Sequence, residues 1–124
     1  MKALVVDDSA TMRKIIGGAL AKTGEVSITE AANGEEAVAQ AKANDFDIIL
    51  MDWNMPRMLG IDALKDIRAL GKKTPIIMVT TEAEKVRVIE ALKAGANNYM
   101  IKPFAPEMLV QKVQETIAKA TGRA

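Results

Sequence analysis

Five short runs rich in β-branched residues alternate with five stretches of helical periodicity, and that alternation leaves this chain few architectures. The runs are Ala3–Val6, Val26–Glu30, Ile48–Met51, Ile76–Thr80 and Asn98–Ile101. The helical stretches between and after them are Met12–Leu20, Glu35–Ala43, Ile61–Leu70, Glu84–Ala94 and Pro106–Ala120. Strands that alternate with helices pair in parallel through right-handed crossovers, so the expected class is α/β, a doubly wound five-stranded parallel sheet with helices on both faces.

Three of the runs, Ala3–Val6, Ile48–Met51 and Ile76–Val79, are continuously apolar, as strands covered on both faces must be. Val26–Glu30 instead alternates apolar with polar residues, which suits a half-exposed edge strand. This places the second strand outside the first and makes 2-1-3-4-5 the leading order. On the first helix Met12, Ile15, Ile16, Ala19 and Leu20 recur at the spacing of one buried stripe, with Ser9 or Thr11 as its cap. Pro106 suits the first position of the last helix, where a missing N–H costs nothing. Thr121–Ala124 forms the only tail.

A length of 124 residues implies one domain, 1–124, and 17 basic against 16 acidic residues leave a net charge of +1. No global field therefore favours nucleic acid or an anionic membrane, and any partner must be recognised locally. No apolar run approaches the ~20 residues that span a bilayer, nor the ~7–15 of a signal-peptide core, so a cytoplasmic location is expected. With no cysteine and no histidine, the chain can build neither a Cys/His zinc site nor a histidine-based catalytic group. Its chemistry falls to carboxylates, hydroxyls and amines.

In a doubly wound sheet ligands sit beyond the carboxyl ends of the strands, where the strand order reverses. Asp7 and Asp8 end the first strand, Asp52 the third and Thr80 the fourth, while Lys102 follows the fifth. Three carboxylates at close quarters repel one another unless cations join them. Mg²⁺, which takes carboxylate, phosphate and water oxygens, suits such an oxygen-only cluster, and Lys102 supplies the second cation. Asp52 is central and is the expected nucleophile, since a carboxylate can form an acyl phosphate. Asp7 and Asp8 would hold the metal directly or through water, with the backbone carbonyl of Asn54 as a further ligand. Taken singly these residues have plainer readings: Asp7 or Asp8 as a helix cap, Asp52 as a loop acid, Thr80 as structural and Lys102 as a surface lysine.

Read together, Val5-Val6-Asp7-Asp8-Ser9, Met51-Asp52-Trp53-Asn54-Met55-Pro56, Val79-Thr80 and Tyr99-Met100-Ile101-Lys102-Pro103-Phe104 resemble the receiver domain of bacterial response regulators. The likeness spans nearly the whole chain and is greatest to the free-standing chemotaxis members. It implies a flavodoxin-like (βα)5 fold and phosphorylation of Asp52 by a histidine kinase with Mg²⁺. It further implies that Thr80 bonds the phosphoryl group, that Tyr99 is a mobile switch, and that the Lys102–Pro103 peptide is cis. A monomer acting on a target such as a flagellar motor component, reset by a phosphatase, is the implied setting. A phosphorelay intermediate, or a receiver cut from a larger regulator, is the alternative. Two positions depart from the pattern: Leu59 stands where many members have Asp, and Thr81 borders the site where a smaller residue is common.

An enzyme reading, an aspartate-nucleophile phosphatase, wants a second Asp two residues beyond Asp52, and position 54 is Asn. A flavin site would need a phosphate-binding loop where Asp7 and Asp8 stand. On the fourth helix Val86, Val88, Ile89 and Leu92 spread over roughly 160°, wider than one buried stripe needs. With Ala83, Lys85, Tyr99 and Lys112 they form the expected partner face.

Overall fold

The computed structural model describes residues 1–122; Arg123 and Ala124, the end of the expected tail, lie outside the described residues. Ten elements alternate: β1 Lys2–Val6, α1 Ala10–Ala21, β2 Ser27–Ala31, α2 Gly34–Ala43, β3 Ile48–Met51, α3 Gly60–Ala69, β4 Ile76–Thr80, α4 Lys85–Ala94, β5 Asn98–Ile101 and α5 Pro106–Ala120. The five strands are parallel in the order β2-β1-β3-β4-β5. This is the doubly wound sheet expected from the alternation, with each boundary within one residue or two of the sequence reading.

Alternate residues of each strand feed opposite faces, because successive side chains point to opposite sides of a sheet. Leu4, Val6, Ile49, Met51, Ile76 and Met78 meet α2, α3 and α4 on one side. Ala3, Val5, Ile48, Leu50, Ile77 and Val79 meet α1 and α5 on the other. Burial on both faces explains why the three central strands carry no polar residue between their first and last positions. β2, at the edge, leaves Ile28 and Thr29 only half-buried.

Of the two candidate caps on α1 it is Ser9 that acts, its hydroxyl accepting from the Met12 N–H at 3.1 Å. The expected stripe on α1 is narrower than its sequence spacing implied: Ile16, Ala19 and Leu20 are buried, but Ile15 is 46% exposed. Ile15 stands about 100° around the helix from Ile16. The sheet and α5 cover only the Ile16 side.

Candidate functional site

The ladder runs to the very ends of the strands: the Asp7 N–H donates to Ala31 O at 3.1 Å, and the Asp52 N–H donates to Val6 O at 3.0 Å. Asp7, Asp8 and Asp52 therefore reach the same edge of the sheet, and one carboxylate oxygen of each lies within 4.8 Å of the others. Asp7 and Asp52 are buried while Asp8 faces solvent. From the far side Lys102 reaches in, its Nζ donating to Asp7 Oδ2 at 2.6 Å and to Asp52 Oδ2 at 3.2 Å. Burial alone would pull the Lys102 pKa down; its hydrogen bond to Asp7 and the charges of Asp52 and Asp7 outweigh that and hold the ammonium above its ordinary value. The Lys102–Pro103 peptide is cis.

The remaining acceptors of the two buried acids are bonded too. Asp7 Oδ1 takes the Ser9 N–H at 2.9 Å, and Asp52 Oδ1 takes the Trp53 N–H at 2.7 Å. Beneath Asp52 the chain passes so closely that a Cβ on Gly60 would overlap the Asp52 carbonyl oxygen. Gly60 instead donates its N–H to Trp53 O at 2.7 Å, closing the loop between β3 and α3. Position 60 thus has room only for glycine.

Thr80 is fully buried at the end of β4, and its hydroxyl accepts the Glu82 N–H at 3.2 Å. Tyr99 donates its phenol O–H to the Glu82 carbonyl at 2.6 Å. Both residues named as switch elements therefore hold the same backbone segment. Burial, then the charge of Glu82, pushes the Tyr99 phenol up from its usual range. Asn54 is exposed, and its amide donates to the Glu82 carboxylate at 3.2 Å. Trp53 is buried in the apolar cluster on that face of the sheet, with the Arg87 guanidinium 5.6 Å above its ring.

The partner face needs correction at three positions, Val88, Lys112 and Tyr99. Val86, Ile89 and Leu92 are exposed as expected, and so are Ala83 and Lys85, but Val88 packs against the core and Lys112 is half-buried. Tyr99 lies inside, 8% exposed, because its ring joins the apolar cluster under α4 while its hydroxyl finds the Glu82 carbonyl. It adds no surface to that face. Sequence reasoning also passed over Arg13, Glu82 and Arg87, which carry no local motif and whose contacts with Glu30, Tyr99 and Trp53 join distant parts of the chain.

This sheet and edge are shared with known proteins. Residues 3–114 match the response regulator receiver domain, and the chain belongs to that family. It is 50% identical over 117 residues to the chemotaxis protein CheY1 of Helicobacter pylori, covering 92% of this chain and 94% of that one. The chemotaxis protein CheY of Pseudomonas aeruginosa is 41% identical over 124 residues, covering 98% and 100%. Among solved structures, the chemotaxis response regulator CheY4 of Vibrio cholerae superposes with a TM-score of 0.85 at 38% identity, covering 93% and 97%. A CheY-like receiver domain protein of Methanospirillum hungatei reaches 0.91 at 28% identity, covering 98% and 96%. The chain is a receiver domain of the CheY-like chemotaxis type, from a family of phosphoacceptor switches rather than substrate-turnover enzymes. Among the described residues no helix is long and apolar enough to cross a membrane.

Proposed function

We propose that this protein is a phosphorylation switch of a chemotaxis pathway, accepting a phosphoryl group on Asp52 from a histidine kinase and altering its contacts with a flagellar motor component. The placement of the Asp52 carboxylate carries the reading: it is buried, within 4.8 Å of two further acids and 3.2 Å from an ammonium. Asp7 shares these features, but Asp52 ends β3, the strand that lies between β1 with its acid pair and β4 with Thr80. An Asp52 oxygen attacks phosphorus, the donor's bond to phosphorus breaks with its electron pair left on the departing group, and an acyl phosphate remains.

Asp7, Asp8, Asp52 and the Asn54 carbonyl are the residues that would hold Mg²⁺. The donor set fits, being all oxygen, with the solvent-facing Asp8 leaving room for the waters this ion retains. When bound, the ion supplies charge neutralisation for acids and phosphoryl oxygens at close quarters. Lys102 stays paired with Asp7 and is placed to donate to a phosphoryl oxygen as Asp52 becomes an acyl phosphate. The Thr80 hydroxyl, which accepts from Glu82, still has its own proton to donate to a new acceptor. Turning toward the phosphoryl group would disturb the Glu82 segment that Tyr99 also holds, and so reach α4. The domain is one unit over 1–124, and no turnover of an external substrate is assigned to it. A phosphatase and a cytoplasmic setting complete the reading.

The test is incubation with Mg²⁺ and acetyl phosphate, followed by mass spectrometry of the intact and digested protein. One phosphoryl group is expected on the peptide containing Asp52 and none on Asp52→Asn. Equal uptake by the two proteins would remove Asp52 from its role.

A further inference from the structure

Arg13 is joined to the acidic edge from outside it. Its Nη1 donates to the backbone carbonyl of Asp7 at 2.6 Å, and its Nε donates to Glu30 Oε1 at 2.7 Å. The side chain is only 16% exposed, so the guanidinium is wedged among the first turn of α1, the end of β1 and the edge strand β2. The carbonyl it holds belongs to the peptide that leads into Asp8.

The two acids of the pair are fixed by different means. Asp7 is bonded at both carboxylate oxygens, to Ser9 and Lys102, and at its N–H, to Ala31. Among the described residues no hydrogen bond ends on the Asp8 carboxylate, which faces solvent. Where Asp8 points is therefore set by its backbone, and the Asp7–Asp8 peptide is held at its carbonyl by Arg13. Glu30 completes the device: it fixes the guanidinium by a second bond and neutralises a charge that would otherwise oppose a cation nearby.

We infer that Arg13, with Glu30 behind it, is a positioning residue for the metal site, orienting Asp8 through the Asp7 carbonyl. The inference rests on the reading that Asp7, Asp8 and Asp52 hold Mg²⁺. Groups that orient ligands without touching the ion typically matter by about 10–100-fold in metal affinity. The sign is diagnostic, because by charge alone removal of a cation beside the site would tighten Mg²⁺ binding, whereas loss of orientation weakens it.

The experiment is a Mg²⁺ titration followed by the fluorescence of Trp53 and by calorimetry, on wild type, Asp8→Asn, Arg13→Ala and Arg13→Lys, with metal-free melting curves alongside. Arg13→Ala is expected to bind Mg²⁺ roughly tenfold more weakly. Arg13→Lys, which keeps the charge but cannot bridge both acceptors, should also bind more weakly, and it carries the test if Arg13→Ala does not fold. Unchanged or tighter binding in both Arg13 variants, with or without a lower melting temperature, overturns the positioning role. Wild type that binds no Mg²⁺, or Asp8→Asn that binds as wild type does, overturns the metal reading itself and the inference with it.

Discussion

α3 and α4 are both ten residues long, both follow a strand that delivers a site residue, and both start without a side-chain cap. Their burial differs sharply. α3 buries Gly60, Ile61, Ala63, Leu64 and Ile67, and begins against the backbone of Asp52. α4 buries Ala91 alone and leaves Val86, Ile89 and Leu92 exposed. It is tethered mainly at its ends: Arg87 over Trp53 and Glu82 under Tyr99 near its start, and Arg68 of α3 donating to Gly95 O at 2.9 Å beyond its end. Segments with few buried apolar contacts open at lower free energy. The half of the site that carries Asp52 is thus anchored by many buried side chains, and the half beyond Thr80 by few.

Substitution inside the two helices is the harshest way to break this contrast. Gly60→Ala puts a methyl group into the Asp52 carbonyl and should cost about 3 kcal/mol or more, while Ile67→Ala, which empties a fully buried site, should cost about 2–5 kcal/mol. Ile89→Ala on α4 should stay within about 1 kcal/mol, since its side chain is already 40% exposed. Urea unfolding of the three variants measures this, and similar losses at Ile67 and Ile89 would abolish the contrast.

A smaller effect sharpens it. If α4 responds to the phosphoryl group through Thr80, beryllofluoride with Mg²⁺ should change hydrogen exchange of α4 amides in the wild type and leave α3 unaltered. Coupling of this kind is typically worth ~1–3 kcal/mol. Thr80→Ala should lose most of that change while still taking a phosphoryl group on Asp52. A full α4 response in Thr80→Ala would send the signal by another route.

The smallest effect is a pH dependence at the tether. Tyr99 is the chain's only tyrosine, and its phenol is held above the usual range by burial and by Glu82. A group whose pKa is raised on folding contributes stability in full below its unfolded value, about 10, and that contribution is lost as pH rises through the folded value. Ultraviolet absorbance should show native Tyr99 ionising at higher pH than in the urea-unfolded chain, with stability falling across that interval. Coincident titrations would mean that the phenol is not buried beside Glu82 in solution.

Much of this was legible in the linear chain. Parallel strands buried on both faces must be apolar until they end, so the polar residues that stop each run, Asp7, Asp52 and Thr80, announce a common edge before any coordinates exist. Lys102 follows from the same rule one strand further on. Burial on helices was less legible, since periodicity gives an angle around the axis and not the width of what covers it. Ile15 and Val88 were both misjudged for that reason.

What periodicity and strand ends determined is the order of the strands and the edge where the acids meet, because both depend on alternation along one segment at a time. Which of these groups hold one another was decided only in three dimensions. Arg13 reaches Glu30 and Tyr99 reaches Glu82 across 17 residues each, and Lys102 reaches Asp7 across 95. Such bonds join groups brought close by separate elements, so they leave no periodic trace in the chain. The inward position of Tyr99, the neutralised guanidinium behind Asp8 and the light anchoring of α4 all belong to the packed structure, where a buried polar group must find its partner wherever the fold has put one.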